Sequence, residues 1–407
     1  MPPRTTLAAL VVLLLTAACG ADRTDAGTPA PRPTLPSTLT AAEAGDELAV
    51  PGQQPLVLAN RTVELGAIVF DTFNGGSVPL DRATPSMISR LSDAIPPLDS
   101  PRYEGVDGGD WLTPDDLVLG YVAADGSAYA YPHKILNFHE IVNDDLAGDP
   151  IVITYCPLCR SSVVYDRRLD GQTLTFGNTS ALYLSDMVMF DRETYSYWWQ
   201  VPGSAIVGTL AGQRLTPLAS ETMEWRTWRA LHPDTQVLSR ETGFERNYDR
   251  DPFTGLGASL DQGARPFQSA PVQTDARLAP SDLVLGLEVD GRHAVYSLTR
   301  IGDGVRNGEL AGRPVAVFSS AAGPSGAAFF ADLEIDDDLD LDLNADTTLT
   351  FSAGAGVWRD DETGSIWDFA GRAIEGPLRG IQLEAVPTRA TFWYAFVAAF
   401  PEAELRD

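Results

Sequence analysis

Four side chains carry the chemistry this sequence has to offer. Cys156 and Cys159 stand in Tyr155-Cys156-Pro157-Leu158-Cys159, and His133 and His139 stand just upstream, between Tyr131 and Asp144. A Cys-x-x-Cys turn points two sulfurs at one ion, and two nearby imidazoles complete a Cys₂His₂ set. That set suits tetrahedral Zn²⁺, and it suits copper, which favours thiolate and imidazole. Met187 and Met189, in DMVMFD, offer a thioether to Cu(I) or else simply fill a strand. The cysteines admit two further readings: a thiol–disulfide couple, and a structural pair with the histidines hydrogen-bonded in the core. The redox reading needs a helix N-terminus at the first cysteine to hold a thiolate. The residues that follow, RSSVVYDRRLDG, are rich in β-branched types and end in a turn, so a poor redox catalyst is expected.

Positioning these groups falls to strands. Glu140 to Asn143 and Ile151 to Tyr155 flank a polar loop containing Gly148 and Pro150, and read as antiparallel partners. If Asn143 pairs with Val152, His139 lies opposite Cys156; one residue of slip turns the side chains away. His133 shares that face if the segment is extended. If Pro132 instead opens a short helix, the two histidines stand about 240° apart. Ser162 to Tyr165 is another buried run, and the QTLTF segment follows a hairpin turn at Leu169-Asp170-Gly171. A helix is expected over Thr222 to Leu231, carrying Met223, Trp225 and Trp228 and stopped by Pro233. The fold class is mainly β with a few helices (α+β).

The chain also repeats itself at a spacing of about 166 residues. DDLVLG (Asp115 to Gly120) recurs as SDLVLG (Ser281 to Gly286), and LAGDPIVI (Leu146 to Ile153) as LAGRPVAV (Leu310 to Val317). QTLTFGN (Gln172 to Asn178) recurs as TTLTFSA (Thr347 to Ala353), and DRETYSYWWQ (Asp191 to Gln200) as DDETGSIWDF (Asp360 to Phe369). Glu224 to Leu238 recurs as Thr391 to Leu405. Five blocks in one order imply a tandem duplication of one β-rich domain. The expected layout is a first repeat with an N-terminal extension over 51–270 and a second, degenerate repeat over 271–407. Cys156 and Cys159 fall opposite Ser320 and Gly323, while His133 and His139 fall opposite Ser297 or Leu298 and near Asp303. His232 falls opposite Phe400, which suggests packing rather than ligation. A frame that repeats without its soft donors argues that those four donors act together. Asp338 to Leu343 alternates acidic and apolar residues as an amphipathic strand, and lacks the glycine and terminal glutamate of an EF-hand loop.

The first residues bear on compartment. Arg4 and the apolar run Leu7 to Ala18 form a secretory leader too short to span a bilayer. It ends in Leu15-Thr16-Ala17-Ala18-Cys19, a lipobox-like sequence, so residues 1–18 are expected to be removed and Cys19 lipidated. Residues 19–50, rich in Pro, Thr and Ala, read as a flexible tether. The expected location is the cell membrane, anchored by lipid on the extracytoplasmic face. With 56 acidic against 29 basic residues the formal charge is -27, which repels phosphate backbones and excludes nucleic acid as a partner. Small partners drawn in by the field are cations, metal ions included.

AIPPLDSPRY (Ala94 to Tyr103), YPHKILNFHEIVND, TYCPLC, SDMVMFDRET and HPDTQVLSRETGFERNYDRDPF together resemble an exported bacterial and archaeal family known as domain of unknown function 3179. The resemblance is dense over Ala94 to Phe253 and reaches the second half only through the repeat. In that family a glycine usually follows the second cysteine; here Arg160 does, which puts a tight turn at that point in question. The resemblance supplies no activity. No Ser-His-Asp order, P-loop or dinucleotide glycine fingerprint stands at a convincing spacing. The expected role is therefore metal binding or handling, with copper or zinc as cofactor. A thiol oxidoreductase and a structural or partner-binding lipoprotein are the alternatives.

Overall fold

The LAG segments show how local sequence sets the frame. Ala147 and Gly148 both take positive φ (54° and 87°), as do Ala311 and Gly312 (54° and 84°), so each closes a two-residue hairpin whose twist matches its strands. A computed structural model describes residues 40–263, 275–321, 325–334, 346–354 and 356–406. The described residues form one unit. Cys19, the leader, Gly323 and the Asp338 to Leu343 strand lie outside the described residues. No helix among the described residues is long and apolar enough to cross a membrane.

Seventeen strands build two large sheets; fourteen of them form the frame that repeats, and the other three, Leu98–Asp99, Tyr103–Glu104 and Pro217–Leu218, are two-residue additions from the first half. From the first half come β1 (Leu117–Val122), β2 (Ala128–Pro132), β3 (Ile141–Leu146), β4 (Asp149–Cys156), β5 (Ser161–Asp166), β6 (Glu221–Glu224) and β7 (Gln236–Leu238). From the second half come β8 (Leu283–Val289), β9 (Arg292–Ser297), β10 (Gly304–Leu310), β11 (Arg313–Ser320), β12 (Ser325–Phe330), β13 (Thr388–Phe392) and β14 (Glu404–Arg406). One sheet runs β3-β4-β5-β13-β8-β9-β14 and the other β10-β11-β12-β6-β1-β2-β7. Exchanging each first-half strand with the second-half strand numbered seven higher, and the reverse, turns one order into the other. The frames of the two sheets are therefore alike, and each frame takes three strands from one half and four from the other.

The sequence points to two β-rich repeats in tandem, and this exchange of strands between them is not visible in it. The seams are single pairings, Ser162 with Ala390 and Gly326 with Thr222. Strand pairing across the seam satisfies backbone groups that would otherwise lie on exposed sheet edges.

Smaller elements match as well. Helices α2 (Trp225–Leu231) and α3 (Trp393–Ala399) close the halves, so Trp225 corresponds to Trp393 and Trp228 to Phe396. The aromatic residues of the two segments pair in that way in the sequence too, although the block bounds beginning at Thr391 stand one residue short of it. The first helix is also shorter than expected, because Glu221–Glu224 pairs in a sheet. Gly120 and Gly286 lie under these helices. A Cβ there would stand 2.1 Å from Trp228 and 1.9 Å from Phe396, so only glycine lets the rings so close.

Asp191 accepts from Trp198 Nε1 at 2.9 Å, and Asp360 from Trp367 Nε1 at 2.8 Å. Asn143 exchanges two side-chain hydrogen bonds with the Phe176 backbone, and Asn307 does the same with Phe351. The expected tether ends before residue 50: Ala41, Leu48 and Val50 are buried, and Glu47–Leu48 pairs with Leu56–Val57. Apolar side chains at alternate positions of an extended segment give it a face to bury.

Candidate metal centre

Cys156 is the last residue of β4, and the turn Pro157 to Arg160 leads into β5. The β3–β4 register is the expected one, with Asn143 opposite Val152. Arg160 takes φ 50°, the left-handed region that glycine enters most easily, so the tight turn forms despite the arginine. Chain from the other half holds this turn in place. The Cys159 carbonyl accepts from Phe392 N at 2.8 Å and Thr391 Oγ1 at 3.0 Å. The Tyr394 hydroxyl lies 3.1 Å from the Leu158 carbonyl and 3.2 Å from that of Ser185.

Asp186 comes from a second hairpin. Leu184 and Ser185 both have positive φ (51° and 66°), so two non-glycine residues form the turn that presents it. The sulfurs of Cys156 and Cys159 and a carboxylate oxygen of Asp186 all lie within 4.8 Å of one another. All three residues are fully buried. Cys159 Sγ stands 3.1 Å from Asp186 Oδ1 and 3.1 Å from Ser161 Oγ, while Val201 N donates to Asp186 Oδ2 at 2.9 Å. Ser161 donates on to Gln200 at 2.5 Å, and Gln200 donates to Thr154 at 2.8 Å, so the surrounding polar groups are occupied. Next to the cluster, Glu140 accepts from Asn178 at 2.7 Å, and Asn178 reaches Met187 Sδ at 3.4 Å. Met187 and Met189 are both buried in the same core as the cysteines.

Electrostatics make the cluster unusual. Burial pushes both thiols up, Cys159 well above the ordinary range, with Asp186 adding to each. Burial pushes Asp186 up to about 6, and burial with the nearby Asp186 charge pushes Glu140 up to about 8. These are acids gathered in a dry core, where the neutral forms are favoured unless a cation joins them.

The histidines stand elsewhere. His133 and His139 begin and end helix α1 (His133–His139), the alternative that Pro132 allowed. Tyr155 and Ser162 are partners across β4 and β5, as are Cys156 and Ser161. Neighbours along a strand face opposite ways, so the Tyr155 face is not the Cys156 face. His133 sits on the Tyr155 face, its ring 4.3 Å from that of Tyr155 and its Nε2 3.1 Å from Ser162 Oγ. Burial pulls its imidazole down to about 3, so it is neutral. His139 is held by the Pro96 carbonyl at 2.8 Å and the Tyr248 hydroxyl at 2.7 Å. Glu140, with φ 59°, ends the helix between His139 and β3, so the expected strand extension toward Cys156 does not exist. Of the four expected donors the structure brings together the two cysteines, and it adds Asp186. The signal for Asp186 was present in DMVMFD, an acid opening a run otherwise rich in core residues.

A family model described as "Protein of unknown function (DUF3179)" matches residues 92–403, and the chain belongs to that family. The match takes in both halves. No curated protein matches the chain, and no solved structure matches it.

Proposed function

We propose that this protein binds one transition-metal ion, zinc or copper, through Cys156, Cys159 and Asp186, in a metal-handling or structural capacity. The observation that carries this reading is the convergence of three buried acidic donors within 4.8 Å, in a hairpin turn and a strained second turn. An ion would take up the negative charge that burial disfavours, because a bound thiolate is deprotonated outright. A carboxylate beside two thiolates favours Zn²⁺ over Cu(I), which prefers soft donors alone. Glu140 is the nearest further acid, and Met187 the nearest thioether. A thiol–disulfide role is disfavoured by thiols pushed up rather than down, and by the strand and turn that replace a helix N-terminus.

The test is metal content per chain, by elemental analysis, for protein purified reduced and without chelator. Wild type should carry close to one ion. Cys159→Ser and Asp186→Asn should each lose at least about tenfold in affinity, while His133→Ala and His139→Ala keep the ion. A metal-free wild type, or occupancy that ignores both Cys159→Ser and Asp186→Asn, leaves a purely structural pair.

We read the two halves as copies of one domain, the second stripped of donors; the equivalent strand orders and paired hydrogen bonds support this. We also propose export and anchoring through Cys19, on the strength of Arg4, the Leu7 to Ala18 run and the small residues before the cysteine. Mass spectrometry of the membrane fraction should show a diacylated peptide starting at Cys19. A soluble, unmodified product cleaved elsewhere would refute it.

A further inference from the structure

An internal ion pair in one sheet has only half a counterpart in the other. Arg389, on β13 opposite Gly286, is fully buried. Its Nε donates to the Val201 carbonyl at 2.8 Å and its Nη2 to Glu288 Oε2 at 2.7 Å. The position matching Arg389 is Glu221, on β6 opposite Gly120. The position matching Glu288, two residues after that glycine, is Val122. The charge has reversed and its partner is gone.

Glu221 is partly buried, and its Oε2 is buried without a hydrogen-bond partner. Among the described residues no cation pairs with it. Beside it lies a cavity of about 110 Å³ whose walls include Val122, Trp228, Ala328, Ala385, Val386 and Thr388. A glutamate is shorter than the arginine that fills the matching slot, so reversal of charge leaves space as well.

We propose that this cavity binds a small organic cation, an ammonium or guanidinium group on a short alkyl stem, with its charge on Glu221 and its stem against Trp228 and Val386. One carboxylate among apolar walls is a poor seat for a bare metal dication, which needs several oxygen ligands. An alkyl cation satisfies both parts of the site, since the stem covers the apolar walls and the head supplies the missing charge. The net charge of -27 raises the local concentration of cations at such a mouth. Burial and the nearby charge of Asp368 push the Glu221 carboxyl up to about 8, and a bound cation would counter both. The site involves neither cysteine and does not depend on the metal reading.

The experiment is titration of the full chain with methylguanidinium and with n-propylammonium, followed by NMR or calorimetry, with n-propanol as the neutral match. Saturable binding of at least one cation at millimolar concentration or better is expected, and none of n-propanol. Glu221→Gln, which imitates the protonated acid and should melt no lower than wild type, should weaken binding about a hundredfold. Val386→Phe should block it by filling the cavity, and Cys156→Ser should leave it unchanged. Failure of both cations to bind wild type, equal binding by Glu221→Gln, or equal binding of n-propanol would overturn the proposal.

Discussion

The buried cysteine–carboxylate cluster and the matching place in the second half differ in kind. Where the first half buries Glu140, Cys156, Asn178, Met187 and Gln200, the second has Gly304, Ser320, Ala353, Gly356 and Phe369. All five of the latter line a cavity of about 500 Å³, together with Trp358. The backbone frame around both places is nevertheless the same, down to the Asn143–Phe176 and Asn307–Phe351 exchanges. The polar cluster is thus separable from the fold that carries it. A group that folding does not require, and that costs desolvation to bury, calls for another explanation; an ion supplies one.

The largest effect should come from emptying the first place. Metal removal by a chelator should lower the thermal midpoint of wild type sharply, since an ion present at about a thousand times its Kd adds about 4 kcal/mol. The same treatment should leave Cys159→Ser unmoved. An equal shift in both proteins would remove the contrast between the halves.

A smaller effect tests the shared frame. Asp191→Ala and Asp360→Ala each strip a tryptophan Nε1 and a nearby threonine of their acceptor. Each should cost about 2 to 4 kcal/mol in urea denaturation, by closely similar amounts. A large cost in one half and none in the other would mean that the frames differ in energy despite their likeness in geometry.

The smallest effect concerns the turn. Arg160→Gly should stabilise the chain by up to about 1 kcal/mol, because glycine enters the left-handed region without a Cβ penalty. Destabilisation in denaturant would show that the arginine side chain, whose guanidinium lies 5.9 Å from the Phe392 ring, outweighs that strain.

Much of this was legible in the residues. Alternation, β-branched runs and the LAG, LDG and DG turns specify strands and hairpins locally, so the β class and the β3–β4 register could be read directly. The repeated blocks revealed the matching frame, because an aspartate three residues before a threonine and seven before a tryptophan makes the same local bonds wherever it occurs. Cys156 and Cys159 needed no more than their spacing to be brought together.

Tertiary structure decided the rest. Which half closes which sheet depends on strand pairings between residues more than 100 positions apart, such as Ser162 with Ala390, and no local signal encodes them. Asp186 reaches the cysteines only because the core folds its hairpin against the β4–β5 turn, at a sequence separation of 27 from Cys159. The histidines were lost for the complementary reason. A seven-residue helix and one residue of positive φ turned His139 toward Tyr248, and the alternation of a single strand put His133 on the far face. Residue types and short spacings determine which groups are able to bind an ion. Only the packing of distant segments determines which of them point at the same place.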